Sequence, residues 1–178
     1  METNNKTNVY LVGYPGSGKT TIGKLLAIKL NRSFTDVDKY IENRYHRTIA
    51  TLFEEKGEAG FREIERRSLQ EISGFENVLV STGGGLPCFF DNMDVMNQTG
   101  MTIYLKTNVN DLLNRLDSNI HNRPLINGKS SEELRDFVEM NLKKRESFYN
   151  QAKCIIEVPN FSSKKEMNQW VDELTICI

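Results

Sequence analysis

A glycine-rich loop near the start of the chain carries residues that can bind phosphate. Residues 13–20 read GYPGSGKT and match the pattern G-x-x-x-x-G-K-[ST]. In such a loop, backbone N–H groups turn toward phosphate oxygens. Lys19 supplies positive charge for the β and γ phosphates, and the Thr20 hydroxyl can ligate Mg²⁺. The helix that follows adds its positive end. A strand-to-helix turn without a ligand is the alternative, but the complete motif favours a nucleoside triphosphate site.

Two aspartates follow a short apolar segment, in Phe34-Thr35-Asp36-Val37-Asp38. Period-2 alternation predicts that Asp36 and Asp38 share one side of a strand, at the carboxyl end where parallel sheets bind ligands. One carboxylate can support Mg²⁺ through water, and the other can orient a substrate hydroxyl toward the γ-phosphate. The structural alternative is a helix N-cap and a turn residue.

Three consecutive glycines, Gly83 to Gly85, follow the apolar run Val78-Leu79-Val80. Glycine permits positive φ values and the close approach of a ligand to the backbone, so we expect substrate contacts here. The neighbouring Thr82 can order water around a metal. A purely structural turn is the alternative, although such a turn seldom needs three glycines in succession.

An arginine and a glutamate lie three residues apart on a predicted helix. Arg62 and Glu65 flank the packing face of Phe61 and Ile64, so Glu65 can steady the guanidinium group. The planar fork of an arginine suits a small carboxylate substrate. The alternative is an ordinary surface ion pair.

A second arginine, Arg145, falls on the apolar stripe of a predicted helix over residues 131–151. The stripe consists of Leu134, Val138, Leu142, Phe148 and Tyr149. A charge on this inward face either extends past the edge of the core or points into a cleft and meets an anion. In the second case, Arg62 and Arg145 together can clamp one carboxylate.

A third arginine precedes a proline in a polar segment, in Arg123-Pro124-Leu125. An arginine on a closing loop neutralises charge on the transferred phosphoryl group and displaces water. We therefore interpret residues 117–129 as a lid loop. An exposed loop arginine is the alternative.

Five short apolar runs can place these residues at one edge of a sheet. The predicted strands are 9–12, 33–37, 78–82, 101–106 and 153–158. Helical segments separate them, which indicates a mainly parallel sheet covered on both faces. We expect a three-layer α/β/α fold in a single domain of residues 1–178. A charged helical insertion at about 38–73 and the lid at about 117–129 would carry specificity.

Composition narrows the class of protein. The 178 residues include 23 Lys plus Arg and 24 Asp plus Glu, giving a formal net charge of −1. This balance provides no basic field for nucleic acid or an anionic membrane. Three cysteines without C-x-x-C spacing argue against a disulfide framework and a zinc site. No apolar run approaches the roughly 18 residues of a membrane span. We expect a cytoplasmic monomer that binds neither nucleic acid nor membrane.

Taken together, the motifs resemble the shikimate kinases, small P-loop kinases similar in architecture to the nucleoside monophosphate kinases. The resemblance runs from about Val9 to Val158. Its most specific stretch is I-x-x-L-F-x-x-x-G-E-x-x-F-R-x-x-E at residues 49–65, joined to residues 36–38 and 82–85. Few other P-loop families combine all three.

The resemblance implies transfer of the γ-phosphoryl group of ATP to the 3-hydroxyl of shikimate, toward chorismate and the aromatic amino acids, with Mg²⁺ required. Thr20 would ligate the metal, Asp36 would support it through water, and Asp38 would be the candidate base. Arg123 matches the lid arginine, and Arg115 is the nearest candidate for an arginine against the adenine. The implied ATP-binding residues are Gly16, Ser17, Gly18, Lys19, Thr20, Thr21 and Arg123. The implied substrate-binding residues are Asp38, Arg62, Gly83, Gly84, Gly85 and Arg145, and the implied catalytic residues are Lys19, Asp38 and Arg123.

Two other functions fit parts of the pattern. A gluconate or nucleoside monophosphate kinase would share the P-loop, but the combination of aspartates, Arg62 and triple glycine favours shikimate. A non-catalytic kinase-like protein would also keep the fold. Intact Lys19, Thr20, Asp38 and Arg62 argue against it.

Overall fold

A five-stranded sheet forms the centre of the protein. The computed structural model describes residues 7–117 and 130–175. The strands lie in the order β2-β3-β1-β4-β5, and all four pairings are parallel. Their bounds are β1 Asn8–Val12, β2 Ser33–Asp36, β3 Val78–Ser81, β4 Gly100–Lys106 and β5 Cys154–Glu157. Each predicted strand agrees with the structure to within one residue at either end.

Helices cover both faces of this sheet. They are α1 Lys19–Lys29, α2 Val37–Tyr45, α3 Ile49–Ser73, α4 Asn92–Thr99, α5 Val109–Asp117, α6 Ser131–Tyr149 and α7 Lys164–Leu174, with a 3₁₀ turn at Leu86–Cys88. None of the helices in the described ranges is long and apolar enough to cross a membrane.

Alternation along β1 separates two hydrophobic cores. Val9 and Leu11 pack into the core that includes residues of α1 and α7. Tyr10 and Val12 pack into a larger core with residues from α2 to α6. A buried parallel strand points successive side chains to opposite faces, so β1 contributes to the cores on both sides of the sheet. The three-layer α/β/α prediction is confirmed.

The strand register brings the ends of three strands to one edge. Leu11 of β1 pairs with Ser81 of β3, and Asp36 of β2 pairs with the same Ser81. The P-loop leaves β1 one residue after Val12. Phosphate-binding backbone and acidic side chains therefore meet at the carboxyl edge, where ligands bind in open α/β sheets.

Helices α2 and α3 occupy most of the predicted insertion. The long helix α3 is kinked at Gly57, whose φ of 64° and ψ of 178° are not helical. One arm therefore runs from Ile49 to Lys56, and a second arm, which carries Arg62 and Glu65, begins after the kink. Arg123 and the predicted lid, apart from the backbone of Asp117, lie outside the described residues.

Candidate active site

The P-loop joins β1 to the first turn of α1. Gly16 and Gly18 have φ values of 91° and 94°, in the left-handed region that favours glycine. Gly18 is the N-cap residue of α1, and no side chain caps this end. Lys19 Nζ donates to the carbonyl oxygens of Gly13 at 2.8 Å and Tyr14 at 3.0 Å. The sequence thus produces an uncapped, positively polarised helix end with an ammonium group beside it.

Hydroxyl groups and one carboxylate meet next to this loop. The Thr20 hydroxyl donates to Asp36 Oδ2 at 2.8 Å, and Ser81 Oγ lies 3.3 Å from Thr20 Oγ1. The other Asp36 oxygen accepts from the backbone N–H of Lys39 at 3.3 Å and caps α2. Asp36 is therefore both a helix cap and a neighbour of the predicted metal ligand, so the two alternatives drawn from the sequence do not exclude each other.

This group of oxygens fits Mg²⁺. Across residues 7–117 and 130–175, no three His, Cys, Asp or Glu side chains form a metal cluster. A magnesium ion bound with phosphates needs only one or two protein groups, because phosphates and water complete its shell. Thr20, Asp36 and Ser81 offer the hard oxygen atoms that such an ion prefers.

The period-2 placement of Asp38 was wrong. Strand β2 ends at Asp36, and Asp38 is the second residue of α2. The chain turns into a helix because the Asp36 side chain satisfies an N–H of the first turn. Asp38 nevertheless reaches the ligand edge, since a Cβ atom at Gly83 would lie 3.0 Å from Asp38 Oδ1.

The three glycines are used for close approach rather than for unusual dihedral angles. None of Gly83, Gly84 and Gly85 has a positive φ. A Cβ at Gly84 would lie 2.5 Å from Pro15 Cδ, and one at Gly85 would lie 2.7 Å from Arg62 Nη1. A side chain at either position would displace the P-loop or the arginine. The segment is therefore the junction between the phosphate side and the arginine side of the cleft.

Thr82 does not take the water-ordering position suggested for it. Its buried hydroxyl donates to Leu11 O at 2.9 Å and ties the end of β3 to β1. Ser81, one residue earlier, is the hydroxyl that faces Thr20. Strand register, which places Ser81 opposite Asp36, is the signal that would have identified it.

Arg62 is held at the edge of the cleft by two carboxylates. Nη1 donates to Glu65 Oε2 at 2.6 Å and Nη2 to Glu58 Oε1 at 3.1 Å. The Arg62 side chain is only 11% exposed and that of Glu65 only 3%. Burial alone would lower the pKa of Arg62, but Glu65 and then Glu58 raise it above its usual value, so the guanidinium stays charged. The i,i+3 spacing thus gives a buried pair, not the exposed one that was the alternative.

Glu65 is a buried acid among several charges. Burial raises the pKa of its carboxyl above the ordinary value, Asp38 adds to this effect, and Arg62 and Arg145 oppose it. The same four groups are therefore close enough to interact electrostatically.

Arg145 points into the same cleft. It lies over the ring of Tyr14, a P-loop residue, with 5.6 Å between Cζ and the ring centroid. Its positive charge also acts on Glu65 and on Cys88, as does that of Arg62. Arg145 thus lies beside a P-loop ring and near a buried acid, and its contact with a substrate anion stays a prediction. Tyr14 was missed from the sequence because it occupies a variable position of the P-loop motif.

Tyr149 and Cys88 are two weak acids close to Arg145. The Tyr149 hydroxyl donates to Gly84 O at 2.6 Å, and burial raises its pKa, so the hydroxyl stays protonated. Burial also raises the pKa of the Cys88 thiol to about 11. Both groups are therefore neutral near pH 7 and add no negative charge beside the arginines.

Arg115 lies on the opposite side of the P-loop. Its Nη1 donates to Gly16 O and its Nη2 to Pro159 O, both at 3.4 Å. It thereby bridges the phosphate loop and the segment after β5, and its contact with the adenine stays a prediction.

Comparison with known proteins agrees with this geometry. The family model for shikimate kinase matches residues 15–175. A shikimate kinase from Parabacteroides distasonis is 49% identical over 160 residues, covering 90% of this chain and 92% of that protein. The crystal structure of shikimate kinase from Bacteroides thetaiotaomicron superposes with a TM-score of 0.92 at 46% identity, covering 96% and 97% of the two chains.

A further solved structure contains a ligand. Shikimate kinase from Acinetobacter baumannii in complex with shikimate has a TM-score of 0.81 and 34% identity, covering 96% of this chain and 93% of that one. The family match spans the P-loop from Pro15, the insertion, the triple glycine and Arg145, which are the parts that form the cleft. On both sequence and structure, the chain belongs to the shikimate kinase family.

Proposed function

We propose that this enzyme transfers the γ-phosphoryl group of ATP to the 3-hydroxyl of shikimate, giving shikimate 3-phosphate and ADP, in the route to chorismate and the aromatic amino acids. The observation that carries the proposal is the junction at Gly83–Gly85. There a Cβ atom added at Gly83, Gly84 or Gly85 would meet Asp38, the P-loop residue Pro15 or Arg62, respectively. An acceptor bound at this junction has a carboxylate oxygen, a cation and the phosphate loop within reach.

Two arginines give this cleft its preference for an acid. Arg62 and Arg145 both act on Glu65, and they approach from different helices, α3 and α6. A substrate carboxylate can accept charge-assisted hydrogen bonds from both. Because the cleft is partly dry, such bonds contribute about 1.5 to 3 kcal/mol each.

Asp38 is the group that we assign to the reacting hydroxyl. Its position in the first turn of α2, beside Gly83, fixes the carboxylate at the centre of the junction. It accepts a hydrogen bond from the acceptor hydroxyl and directs the oxygen toward the γ-phosphate. Since phosphoryl transfer passes through a loose transition state, orientation precedes any demand for proton removal.

The P-loop side holds ATP. Gly16, Ser17, Gly18 and the first turn of α1, with Thr20 and Thr21, present N–H groups to the phosphates, and Lys19 adds its charge. Mg²⁺ held by Thr20, with Asp36 supporting it through water, offsets the charge of the phosphates when bound. We assign Arg115 to the adenine end and Arg123 to the transferred phosphoryl group. We also propose a cytoplasmic monomer.

An assay of ADP release with ATP, Mg²⁺ and shikimate tests the reaction. Gluconate, CMP and AMP serve as parallel acceptors, and omission of Mg²⁺ with added chelator tests the metal. We expect turnover with shikimate alone and none without the metal. Turnover with gluconate or a nucleotide instead would reassign the acceptor. ATP binding without turnover on any acceptor would favour a non-catalytic protein.

Arginine variants test the clamp. Arg62→Ala and Arg145→Ala should each lower kcat/KM for shikimate by roughly 10- to 150-fold, with little change in KM for ATP. Arg66→Ala is the matched control. Arg66 lies one turn further along α3 but pairs with Asp91 at 3.0 Å, outside the cleft. Unchanged kinetics in Arg62→Ala would show that the clamp is wrong.

A further inference from the structure

An aromatic ring covers one face of the Arg62 guanidinium. The centroid of the Phe89 ring lies 4.2 Å from Arg62 Cζ, closer than the 5.6 Å of Phe61. We propose that Phe89 is a positioning residue, which fixes the plane of the Arg62 guanidinium so that the remaining N–H donors of Nη1 and Nη2 meet the substrate carboxylate. This inference rests on the proposed function.

The contacts on the edges of Arg62 explain why a ring is suited to this position. Glu65 and Glu58 each take one N–H donor, while Nε is buried and makes no hydrogen bond within the described residues. A further acidic side chain would compete with the substrate carboxylate. An aromatic face attracts the cation through its quadrupole and occupies no N–H donor. Phe89 can therefore restrain the guanidinium without using the atoms that bind substrate.

The loop that presents Phe89 is itself restrained. Cys88 N donates to Gly85 O at 2.9 Å, which closes the 3₁₀ turn, and the Asn92 side chain donates to Leu86 O at 2.8 Å. Leu86 and Pro87, the first two residues of the turn, are buried. Phe89 follows in an extended conformation, with a φ of −125°. Phe89 thus belongs to the same restrained segment as Gly85, which lies against Arg62.

The next residue provides a matched comparison. Phe90 has a φ of 52°, so the chain changes direction and its ring lies over Arg66, at 4.8 Å, instead of Arg62. Phe90 is half exposed, and Arg66 already pairs with Asp91. The same ring chemistry therefore occurs at two adjacent residues, against two arginines one turn apart, of which only Arg62 faces the cleft.

Steady-state kinetics of Phe89→Leu, Phe89→Tyr and Phe90→Leu test the proposal. Leucine keeps most of the apolar volume but removes the π face. Phe89→Leu should raise KM for shikimate about 3- to 10-fold, with KM for ATP and kcat within about twofold of wild type. Phe89→Tyr and Phe90→Leu should match wild type. An unchanged KM in Phe89→Leu, or an equal rise in Phe90→Leu, overturns the inference.

A double-mutant cycle then tests whether Phe89 acts through Arg62. Shikimate affinity is measured by calorimetry for wild type, Phe89→Leu, Arg62→Lys and the double variant. Phe89→Leu should weaken affinity in the wild type but change it less than twofold when residue 62 is lysine. The same loss in both backgrounds would show a general packing effect and overturn the inference. Failure of the wild type itself to bind or phosphorylate shikimate would instead contradict the proposed function.

Discussion

Asp38 reaches the cleft from the first turn of α2, where Gly83 leaves room for its carboxylate. Nearby, one carboxylate oxygen of Asp36 accepts a hydrogen bond from Lys39 N and caps α2, and the other accepts one from the Thr20 hydroxyl. Two aspartates separated by one residue thus have different chemical surroundings. Asp36, which accepts from Thr20, is suited to support a metal, and Asp38, which lies beside Gly83, is suited to contact a reacting hydroxyl.

Asp38→Asn should separate catalysis from nucleotide binding. An amide oxygen still accepts a hydrogen bond, but it loses the negative charge that favours the developing nucleophile, so kcat should fall by about 100-fold or more. ATP affinity should change little. Steady-state kinetics and calorimetry with ATP give the two quantities. Asp172→Asn, on α7 at the opposite face of the sheet, is the control, and near-normal kcat in Asp38→Asn would remove Asp38 from its role.

Glu65 should make stability depend on pH in a definite direction. Since its pKa in the folded protein is raised by burial, the folded state holds a proton that the unfolded state has released, over the range between the ordinary pKa and the raised one. Stability is therefore greatest below that range and falls as the pH rises through it. Glu65→Gln removes this dependence.

Thermal denaturation of wild type and Glu65→Gln at several pH values measures this effect. The difference in Tm, variant minus wild type, should become more positive as the pH rises through the titration range of Glu65, because only the wild type loses stability from this group. The other carboxylates titrate in both proteins and cancel in the difference. A constant difference, or one that changes in the opposite direction, would contradict a raised pKa.

At the scale of residues, the sequence predicted pairs within one helix but not contacts between distant segments. The Arg62–Glu65 pair follows from i,i+3 geometry on one helix, and Arg145 follows from an apolar stripe. Tyr14 and Phe89 stack on these arginines from segments far away in the chain, and no local pattern reports such a contact. Glycine identity at 83–85 was informative, but the reason was the proximity of the protein's own Pro15 and Arg62 rather than positive φ.

Among the elements, α3 has the most unusual backbone. Gly57 adopts φ 64° and ψ 178°, a region open almost only to glycine, and a Cβ there would meet no atom within 4 Å. The requirement for glycine is thus purely conformational. It sets the angle between the arm with Phe53 and the arm with Arg62.

Gly57→Ala should destabilise the protein without any steric clash. The strained dihedral angles should lower the free energy of unfolding by about 1 to 3 kcal/mol, measurable by urea denaturation. KM for shikimate should also rise, because Glu58 and Arg62 follow the kink. Gly74→Ala at the end of the same helix is the control. Its φ is −81° and its Cβ would make only an ordinary contact. Equal stability of Gly57→Ala and Gly74→Ala would show that the kink can relax.

Strand and helix bounds were predictable to different extents. Short runs between helical segments located the five strands of the described ranges. The central strands β1, β3 and β4 are nearly continuous in buried residues, as parallel strands covered on both faces are. The passage from β2 to α2 was missed. There, a strand end and a helix N-cap share the same aspartate, and alternation and capping make opposite predictions for Asp38. Only the hydrogen bond to Lys39 N distinguishes them.

At the scale of the molecule, the central strands β1, β3 and β4 are largely buried, and the proposed ligand site lies at the carboxyl edge of the sheet. The order of the strands could not be predicted from the sequence, since each strand could pair with several others. The large apolar side chains that remain exposed in the described ranges are scattered. They are Ile28 on α1, Phe53 on α3, Met140 on α6, Ile155 on β5, and Phe75 and Phe90 in connecting segments. Such dispersion is ordinary for a monomer.

The protein should therefore be monomeric in solution. Size-exclusion chromatography with light scattering should give a mass near 20.5 kDa, independent of concentration. Addition of ATP and shikimate should leave this mass unchanged, because the cleft is built from one chain. A mass of twice this value, or one that rises with concentration, would contradict the expectation.

The contact between Pro15 and Gly84 also limits how the two positions can change during evolution. The proline ring fills the volume that any side chain at residue 84 would need, since a Cβ there would lie 2.5 Å from Pro15 Cδ. A lineage that gains a side chain at 84 must first lose the ring at 15, and that step alters the phosphate loop itself. Substitutions on the phosphate side of the cleft and on the acceptor side are therefore coupled. Among relatives, residues 15 and 84 should covary.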